Sequence, residues 1–307
     1  LKTLDPSFVV ADDMSMGSDP NTMSRITMRG GTTMTISGIY DDTTTNPNEP
    51  LFILDGFESS LQEINDLDIN RIESITLLKD AASTAIYGSR GSNGVILITT
   101  KGGSEGKASI TFDASIGLST VRKQYDLLNA YEYATALNDI RGSSTISPEN
   151  LAAYKNGTKG INWADLITHT GVTQDYRLNI SGGNAKVKYL ISGNVLDQEA
   201  VTIETNYKRY GIRANIDADV KPWLTISAKM NATSLHKHND GANWFHITNF
   251  SPTMEMKDPE TGVYNRDPYN IANGSNPYGE LMVNYSDSYS YNPVSYTHLT
   301  LPTICSG

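Results

Sequence analysis

The chain has 307 residues, of which 34 are acidic and 24 basic, so its formal net charge is -10. Proteins that bind nucleic acid replace the counterions of phosphates with clustered Lys and Arg, so this acidic balance argues against nucleic-acid binding. Hydrophobic residues make up 38% of the chain, and the lack of any run of about 18 apolar residues excludes a transmembrane helix.

The first 49 residues are polar, with strand candidates at Ser7–Val10 and Ser24–Gly30. A disordered polar leader is the alternative interpretation of this stretch. Leu1 is not a start methionine, and no basic segment followed by an apolar one lies near it, so we expect a cut N-terminus. The single cysteine, Cys305, excludes a disulfide within the chain.

The stretch Pro50–Gly103 is expected to form a small α+β unit. Its first element is the apolar run Leu51–Leu54, which stops at Asp55-Gly56. An Asp-Gly pair is a strong turn signal, because glycine tolerates positive φ. Asp66 or Asp68 is then positioned to cap a helical turn before the next strand begins.

A second helix and a buried strand complete this unit. Asp80 is a candidate cap for a helix over Ala81–Tyr87, and Gly88 stands where a C′ glycine would end it. The run Val95–Ile98 is almost wholly apolar, which predicts a strand buried on both faces. Two glycines space the turn before this strand, namely Gly91 and Gly94.

Five short motifs of this unit, in this order, resemble the plug domain of TonB-dependent outer-membrane transporters. More narrowly, the motifs resemble those of the SusC/RagA family of Bacteroidetes. Each motif alone is weak, but the ordered set is specific. The motifs are Leu54-Asp55-Gly56, Arg71-Ile72-Glu73-Ser74-Ile75, Leu78-Lys79-Asp80-Ala81-Ala82, Ala85-Ile86-Tyr87-Gly88-Ser89-Arg90-Gly91 and Asn93-Gly94-Val95-Ile96-Leu97-Ile98-Thr99-Thr100-Lys101.

The resemblance implies a role for the polar residues of these motifs. In a plug, such residues would hold the domain in a wet lumen loosely enough for it to be released. The alternative is ordinary surface pairing, worth under about 1 kcal/mol for each pair. The plug signature, with structural and gating roles, consists of Asp55, Gly56, Arg71, Glu73, Lys79, Asp80, Tyr87, Gly88, Arg90, Gly91 and Gly94.

After a Gly/Ser linker at residues 104–107, the pattern changes to long strands with a period of two. Their polar sides suit either the solvated face of a soluble sandwich or the lumen of a membrane barrel. The connections alternate between long and short, as in outer-membrane barrels, and this favours the barrel. The five predicted strands are Ser109–Leu118, Asp175–Ile180, Lys186–Val195, Arg209–Asp219 and Leu224–Asn231.

The predicted fold is therefore an α+β plug domain followed by part of an antiparallel transmembrane β-barrel. Intact members of the family have about 22 strands around a plugged lumen. Because only five strands are predicted here, we expect the chain to be a fragment. We expect an N-terminally truncated plug at residues 1–103, the linker at 104–107 and the first barrel strands at 108–292. The stretch Pro293–Thr303 resembles a reading frame of a transposon sequencing adapter, so residues 293–307 are interpreted as an adapter-derived artefact.

Other chemistry finds little support in the sequence. The glycines at 88, 91 and 94 follow a helix and precede a strand, which is the reverse of a dinucleotide loop, and no Walker Gly-Lys-Ser/Thr occurs among them. A metal site on an outer loop is an alternative for four side chains. They are His236, His238, Asp240 and His246.

By resemblance, the intact protein imports a bulky nutrient, an oligosaccharide or a peptide, across the bacterial outer membrane. The implied partners are the TonB-ExbB-ExbD complex, a SusD-like surface lipoprotein and outer-membrane lipid, with no nucleic acid and no cofactor. The sequence has no serine, cysteine or carboxylate pair at a recognisable catalytic spacing, so we do not predict an enzyme. The alternative function is a secreted or surface β-rich binding or adhesion protein without transport activity.

Overall fold

The computed structural model describes residues 9–10, 26–28, 48–65, 67, 69–122, 126–142, 145–238, 244–266, 276–283 and 286–300. Several residues named above lie outside this part of the chain. They include Leu1, the capping candidates Asp66 and Asp68, and Asp240 of the metal-site alternative. Parts of both N-terminal strand candidates, at residues 7–8, 24–25 and 29–30, and residues 301–307 with Cys305 also lie outside it.

The N-terminal domain, defined here as the described residues up to 103, is built on a four-stranded sheet in the order β4-β3-β6-β5. Strands β3 and β6 are parallel, and the other two pairs are antiparallel. The strands are β3 (Leu51–Leu54), β4 (Phe57–Ser59), β5 (Ile72–Leu78) and β6 (Val95–Thr100), with a separate pair of β1 (Val9–Val10) and β2 (Ile26–Thr27). Its helices are α1 (Leu61–Asn65) and α2 (Ala81–Thr84), and its 3-10 turns are Ile69–Arg71 and Ala85–Gly91.

The core of the N-terminal domain lies on β6. Val95, Ile96 and Ile98 are buried, which confirms the prediction from their continuous apolar run. Met28 and Phe52 pack in the same cluster as Ile96 and Ile98. A strand with partners on both faces needs apolar residues at successive positions, and the sequence carries that pattern here.

The predicted Asp-Gly turn joins β3 to β4. Asp55 has φ 51° and Gly56 has φ 93°. Positive φ at both central residues is the hairpin geometry that favours this residue pair.

The second helix is shorter than predicted, because α2 ends at Thr84 and continues as a 3-10 turn. Gly88 interrupts that turn at φ 63°, so the predicted glycine stop is present. Asp80 lies at the N-cap position, but its side chain makes no capping hydrogen bond. Instead, the hydroxyls of Ser83 and Thr84 donate back to the carbonyl of Asp80.

Six antiparallel strands form a second sheet, called the long sheet here, in the order β12-β11-β10-β9-β8-β7. All five predicted strands are present and longer than predicted. The strands are β7 (Gly106–Ser119), β8 (Gly171–Gly183), β9 (Val187–Glu199), β10 (Asn206–Lys221), β11 (Leu224–His238) and β12 (Asp287–Thr300).

Strand β12 was not predicted, and it extends past the expected boundary at residue 292. It pairs with β11 along its length, and the ring of Tyr296 stacks on Phe57 with centroids 3.8 Å apart. An open strand edge accepts any partner of suitable alternation. The pairing therefore does not test the adapter interpretation of residues 293–307, which stays a prediction.

The two faces of the long sheet differ in polarity. Register places Phe112 beside Leu178 on one face, and Asp113 beside Arg177 on the other. The polar face contacts the N-terminal domain and is called the inner face here. The opposite, outer face exposes large apolar side chains at Ile110, Phe112, Ile116, Leu178, Ile212, Ile216 and Met230.

The connections of the long sheet alternate in length as predicted. One end has residues 120–170, 200–205 and 239–286, and the other has only 184–186 and 222–223. The side chain of Asn129 accepts from the backbone N–H groups of Tyr131 and Glu132 at 3.0 Å each, which caps the first helix of these connections. The helices of the long connections are α3 (Ala130–Arg141), α4 (Pro148–Lys155), α5 (Trp163–Ile167), α6 (Trp244–Asn249) and α7 (Pro277–Val283). Across the described ranges, we find no helix with the length and apolarity needed to cross a membrane.

Candidate functional site

The first part of the candidate site is a buried carboxylate between the N-terminal domain and the long sheet. Asp55 Oδ2 lies 3.2 Å from Nη2 of Arg213, and its Oδ1 lies 3.1 Å from Nζ of Lys229. The side chains of Asp55 and Arg213 are only 6% and 4% exposed. One turn residue of the domain therefore pairs with cations from two neighbouring strands.

Hydrogen bonds fix this carboxylate from the domain side as well. The backbone N–H of Thr100 donates to Asp55 Oδ1 at 2.9 Å. The Thr100 hydroxyl contacts both the Asp55 carboxylate and the Arg213 guanidinium. Asn215 accepts from Arg213 Nε at 3.1 Å and donates to the carbonyl of Lys101 at 3.0 Å. The cluster thus joins the β3–β4 turn, the end of β6 and strand β10.

A second polar contact is centred on Arg71, at the end of the 3-10 turn before β5. Its Nη2 donates to Asn194 Oδ1 at 2.7 Å, and its Nη1 donates to Asn231 Oδ1 at 3.3 Å. Arg71 is 6% exposed. Gly211 leaves room for this contact, because a Cβ there would lie 2.3 Å from Asn194 Oδ1.

The contacts of Asp55 and Arg71 with the long sheet are polar. A cavity of about 40 Å³ lies beside Asp55 and is lined from both sides, including Glu63 from the domain and Asn231 from the sheet. A buried ion pair is costly to break from one side, because the remaining charge keeps its desolvation penalty. Moving the whole domain into water would instead hydrate both partners. The contact can therefore be stable while the domain is docked on the long sheet, and it can still break when the whole domain leaves the sheet.

The structure brings two of the predicted signature residues, Asp55 and Arg71, to this contact. Arg90 lies elsewhere and pairs with Glu58, with side chains 70% and 48% exposed. Glu73 and Asp80 are also exposed, whereas Lys79 and Tyr87 are half-buried.

The signature glycines shape the domain. Gly56 and Gly88 adopt positive φ in turns. Gly94 has φ 98°, and a Cβ there would lie 3.1 Å from Met28 Cε. Gly91 is buried, and its Cβ would lie 3.0 Å from the carbonyl of Thr84. A gating role for the signature residues stays a prediction.

Sequence reasoning missed the sheet partners of Asp55 and Arg71. The alternating pattern placed the polar residues of each strand on one face of the sheet. It does not show which residue of another domain each of them contacts. The missed partners on the long sheet are Asn194, Arg213, Lys229 and Asn231. Asn215, which bonds to Arg213, and Thr100 of β6 were missed as well.

The metal-site alternative is not supported. His236 and His238 contact Asp287 Oδ1, at 3.3 and 2.6 Å. His246 instead contacts Glu280 at 2.9 Å. Within the described part of the chain, no group of three or more His, Cys, Asp or Glu is arranged to hold a metal ion.

Comparison with known proteins shows that the sequence is similar to one protein family and to several receptors. Residues 1–95 match the family described as TonB-dependent Receptor Plug Domain. The TonB-dependent receptor SusC of Bacteroides thetaiotaomicron is 31% identical over 274 residues, covering 85% of this chain and 25% of the relative. The TonB-dependent receptor P3 of Formosa agariphila is 32% identical over 258 residues, covering 82% and 23%. The chain thus spans about a quarter of the length of these relatives.

The fold also matches solved structures across both parts of the molecule. The structure of the RagAB peptide transporter aligns with a TM-score of 0.69 at 21% identity, covering 93% of this chain and 35% of that chain. The RagAB peptide importer in the closed-closed state aligns with a TM-score of 0.68 at 22% identity, covering 92% and 35%. At this identity the likeness establishes the fold: a plug domain against an open antiparallel sheet, consistent with an incomplete barrel.

Proposed function

Because the chain belongs to the TonB-dependent receptors of the SusC/RagA type, we propose that the whole receptor imports a bulky nutrient across the bacterial outer membrane. The nutrient is an oligosaccharide or a peptide. The N-terminal domain is the plug, and it gates the lumen on the inner side of the long sheet.

The observation that carries this proposal is the buried Asp55 between Arg213 and Lys229. A plug must close the lumen at rest and leave it when pulled. Apolar packing against the wall would expose apolar surface at every opening, at about 25 cal/mol for each Å². Polar contacts are instead replaced by contacts with water, so the net free energy of release is smaller.

We assign the direct gating contacts to Asp55 and Arg71, which touch the wall. The remaining signature residues act by shaping the plug. Gly88 and Gly94, for example, have positive φ at the turns that place β6. Strand β6 then presents Thr100 to the wall beside Asp55.

The partners follow from the same proposal. The TonB-ExbB-ExbD complex pulls the plug, a SusD-like surface lipoprotein captures the nutrient, and outer-membrane lipid covers the outer face of the long sheet. The exposed apolar side chains on that face support the lipid contact, because barrel strands alternate lipid-facing and lumen-facing residues. No bond is broken in this cycle.

Nutrient uptake by cells that carry the complete gene tests the proposal. Uptake is measured in matched strains with and without a functional TonB. We expect uptake only where TonB is functional, because release of the plug requires external work. Equal uptake in both strains would contradict the proposed function.

A further inference from the structure

A second feature lies away from the plug, in the long connections of the sheet. A cleft of about 840 Å³ opens between residues 126–133, 154–164 and 247–252. The first two segments belong to the connection between β7 and β8, and the third to the connection between β11 and β12. Its volume falls within the range of about 300–1,000 Å³ that is typical of ligand sites.

The walls of the cleft are fixed to one another before any ligand arrives. Trp163 Nε1 donates to the carbonyl of Ser251 at 2.9 Å. The N–H of Ile161 donates to the carbonyl of Pro252 at 2.9 Å, and the Tyr154 hydroxyl donates to that of Thr253 at 3.0 Å. These bonds join segments about ninety residues apart, so a ligand would meet a site that needs little ordering.

A packed apolar base supports the same walls. Trp163 lies edge-on to Phe250, with ring centroids 4.9 Å apart. Ile167 and Ile247 are buried with them in one cluster. The cleft is thus a feature of a folded unit and not a gap between loose loops.

The lining combines rings with neutral hydrogen-bonding groups. Tyr131, Tyr133 and Tyr154 are half-buried and keep ring surface available. Asn249 and Asn162, whose amide also bonds to Asp165 as the cap of α5, add amide groups. Flat apolar rings beside amides and hydroxyls match a sugar, whose ring has apolar C–H faces and a rim of hydroxyls.

The charges of the cleft are nearly balanced. Lys155 and Lys159 line it together with Asp126, and Lys159 lies 3.8 Å from the carboxylate of Glu255. Lys155 lies over the ring of Tyr131, 5.7 Å from its centroid. With no excess of one sign, the cleft favours a neutral ligand over an anionic or cationic one.

The backbone of the cleft disfavours an extended peptide. Extended peptides gain much of their affinity by pairing with an exposed strand edge. The lining residues that the structure describes lie in helices and turns, and none lies in a strand.

We propose that this cleft binds a segment of a neutral oligosaccharide, which the tyrosines hold by their rings. The proposal rests on the proposed function, since it assigns the nutrient to one of the two classes considered. Its location in the long connections places it at the opposite end of the long sheet from the short turns.

Binding is measured by calorimetry on the complete receptor in detergent. The probes are four neutral hexasaccharides, namely an α-1,4-glucan, a β-1,4-xylan, a β-1,4-mannan and a β-2,1-fructan. We expect at least one probe to bind, and the double variant Tyr131→Ala with Tyr133→Ala to weaken it about tenfold or more, which is about 1.4 kcal/mol. The double variant Tyr131→Phe with Tyr133→Phe should stay within about threefold of the parent, since the rings remain.

The control is Tyr291→Ala, which removes a tyrosine exposed on the outer face of β12. It should leave binding unchanged. The proposal is overturned if no probe binds, if the double Ala variant binds like the parent, or if a neutral hexapeptide of Ala and Ser binds more tightly than every probe. Each of these results leaves TonB-dependent uptake untouched, so the two proposals fail separately.

Discussion

At the scale of single residues, Asp55 has two roles that the sequence shows only in part. Its place before Gly56 predicts the turn, and the positive φ of both residues confirms it. Its pairing with Arg213 and Lys229 was beyond prediction, because these residues lie more than 150 positions away in sequence. Local patterns report local backbone geometry, whereas a buried ion pair is defined by how two domains meet.

The substitution Asp55→Asn tests the weight of this carboxylate. The amide keeps the shape of the side chain but removes its charge, so the buried Arg213 loses its counter-ion and remains beside the half-buried Lys229. We expect the free energy of docking the plug on the long sheet to become less favourable by about 3 kcal/mol. Amide hydrogen exchange of β3 and β4 in the complete receptor should accelerate on the order of a hundredfold.

Glu58→Gln is the matched control, because it neutralises an acid of the same domain whose partner Arg90 is exposed. Its effect should stay under about 1 kcal/mol. Equal acceleration in the two variants would mean that the Asp55 contact does not hold the plug.

At the scale of elements, the sequence predicted the strands that have a regular hydrophobic pattern. It did not predict side-chain contacts, which depend on the tertiary structure. The period of two located β7 to β11, and the continuous apolar run located β6. The predicted side-chain cap at Asp80 was wrong, because Asp80 lies at the N-cap position but its side chain makes no capping hydrogen bond. The hydroxyls of Ser83 and Thr84 donate to the Asp80 carbonyl, and these bonds do not replace a cap, which accepts from backbone N–H groups.

Gly94→Ala tests the turn that leads into β6. Alanine would be strained at φ 98°, and its Cβ would lie 3.1 Å from Met28 Cε and 3.3 Å from the carbonyl of Leu78. We expect the free energy of unfolding of the plug to fall by about 1–3 kcal/mol, as measured by urea titration. The control Gly102→Ala should change it by under about 0.5 kcal/mol, since the nearest atom to that Cβ is 4.0 Å away. A similar loss in both variants would contradict a special role for Gly94.

At the scale of the whole molecule, the two faces of the long sheet distinguish a barrel wall from a soluble sandwich. The polar inner face is partly covered by the plug, while the outer face leaves Phe112, Ile116 and Ile212 exposed. Among the strands that the structure describes, β7 and β12 lie at the two edges of this sheet. In water, such edges and faces associate.

The 307-residue chain, expressed alone, should therefore aggregate in buffer and become dispersed in detergent. Light scattering and size-exclusion chromatography in both solvents measure this directly. The alternative of a secreted binding or adhesion module predicts a soluble monomer without detergent. A monomer in plain buffer would favour that alternative and contradict the barrel assignment.

The most direct test of a releasable plug is to pull on it. The complete receptor is held in a lipid bilayer, and force is applied to the N-terminal side of the plug while extension is recorded. We expect the plug to detach and extend in the first event with the barrel intact, and Asp55→Asn to lower the force of that event while Glu58→Gln leaves it unchanged. Extraction of barrel strands before or together with the plug, or a release force that Asp55→Asn does not change, would contradict the account.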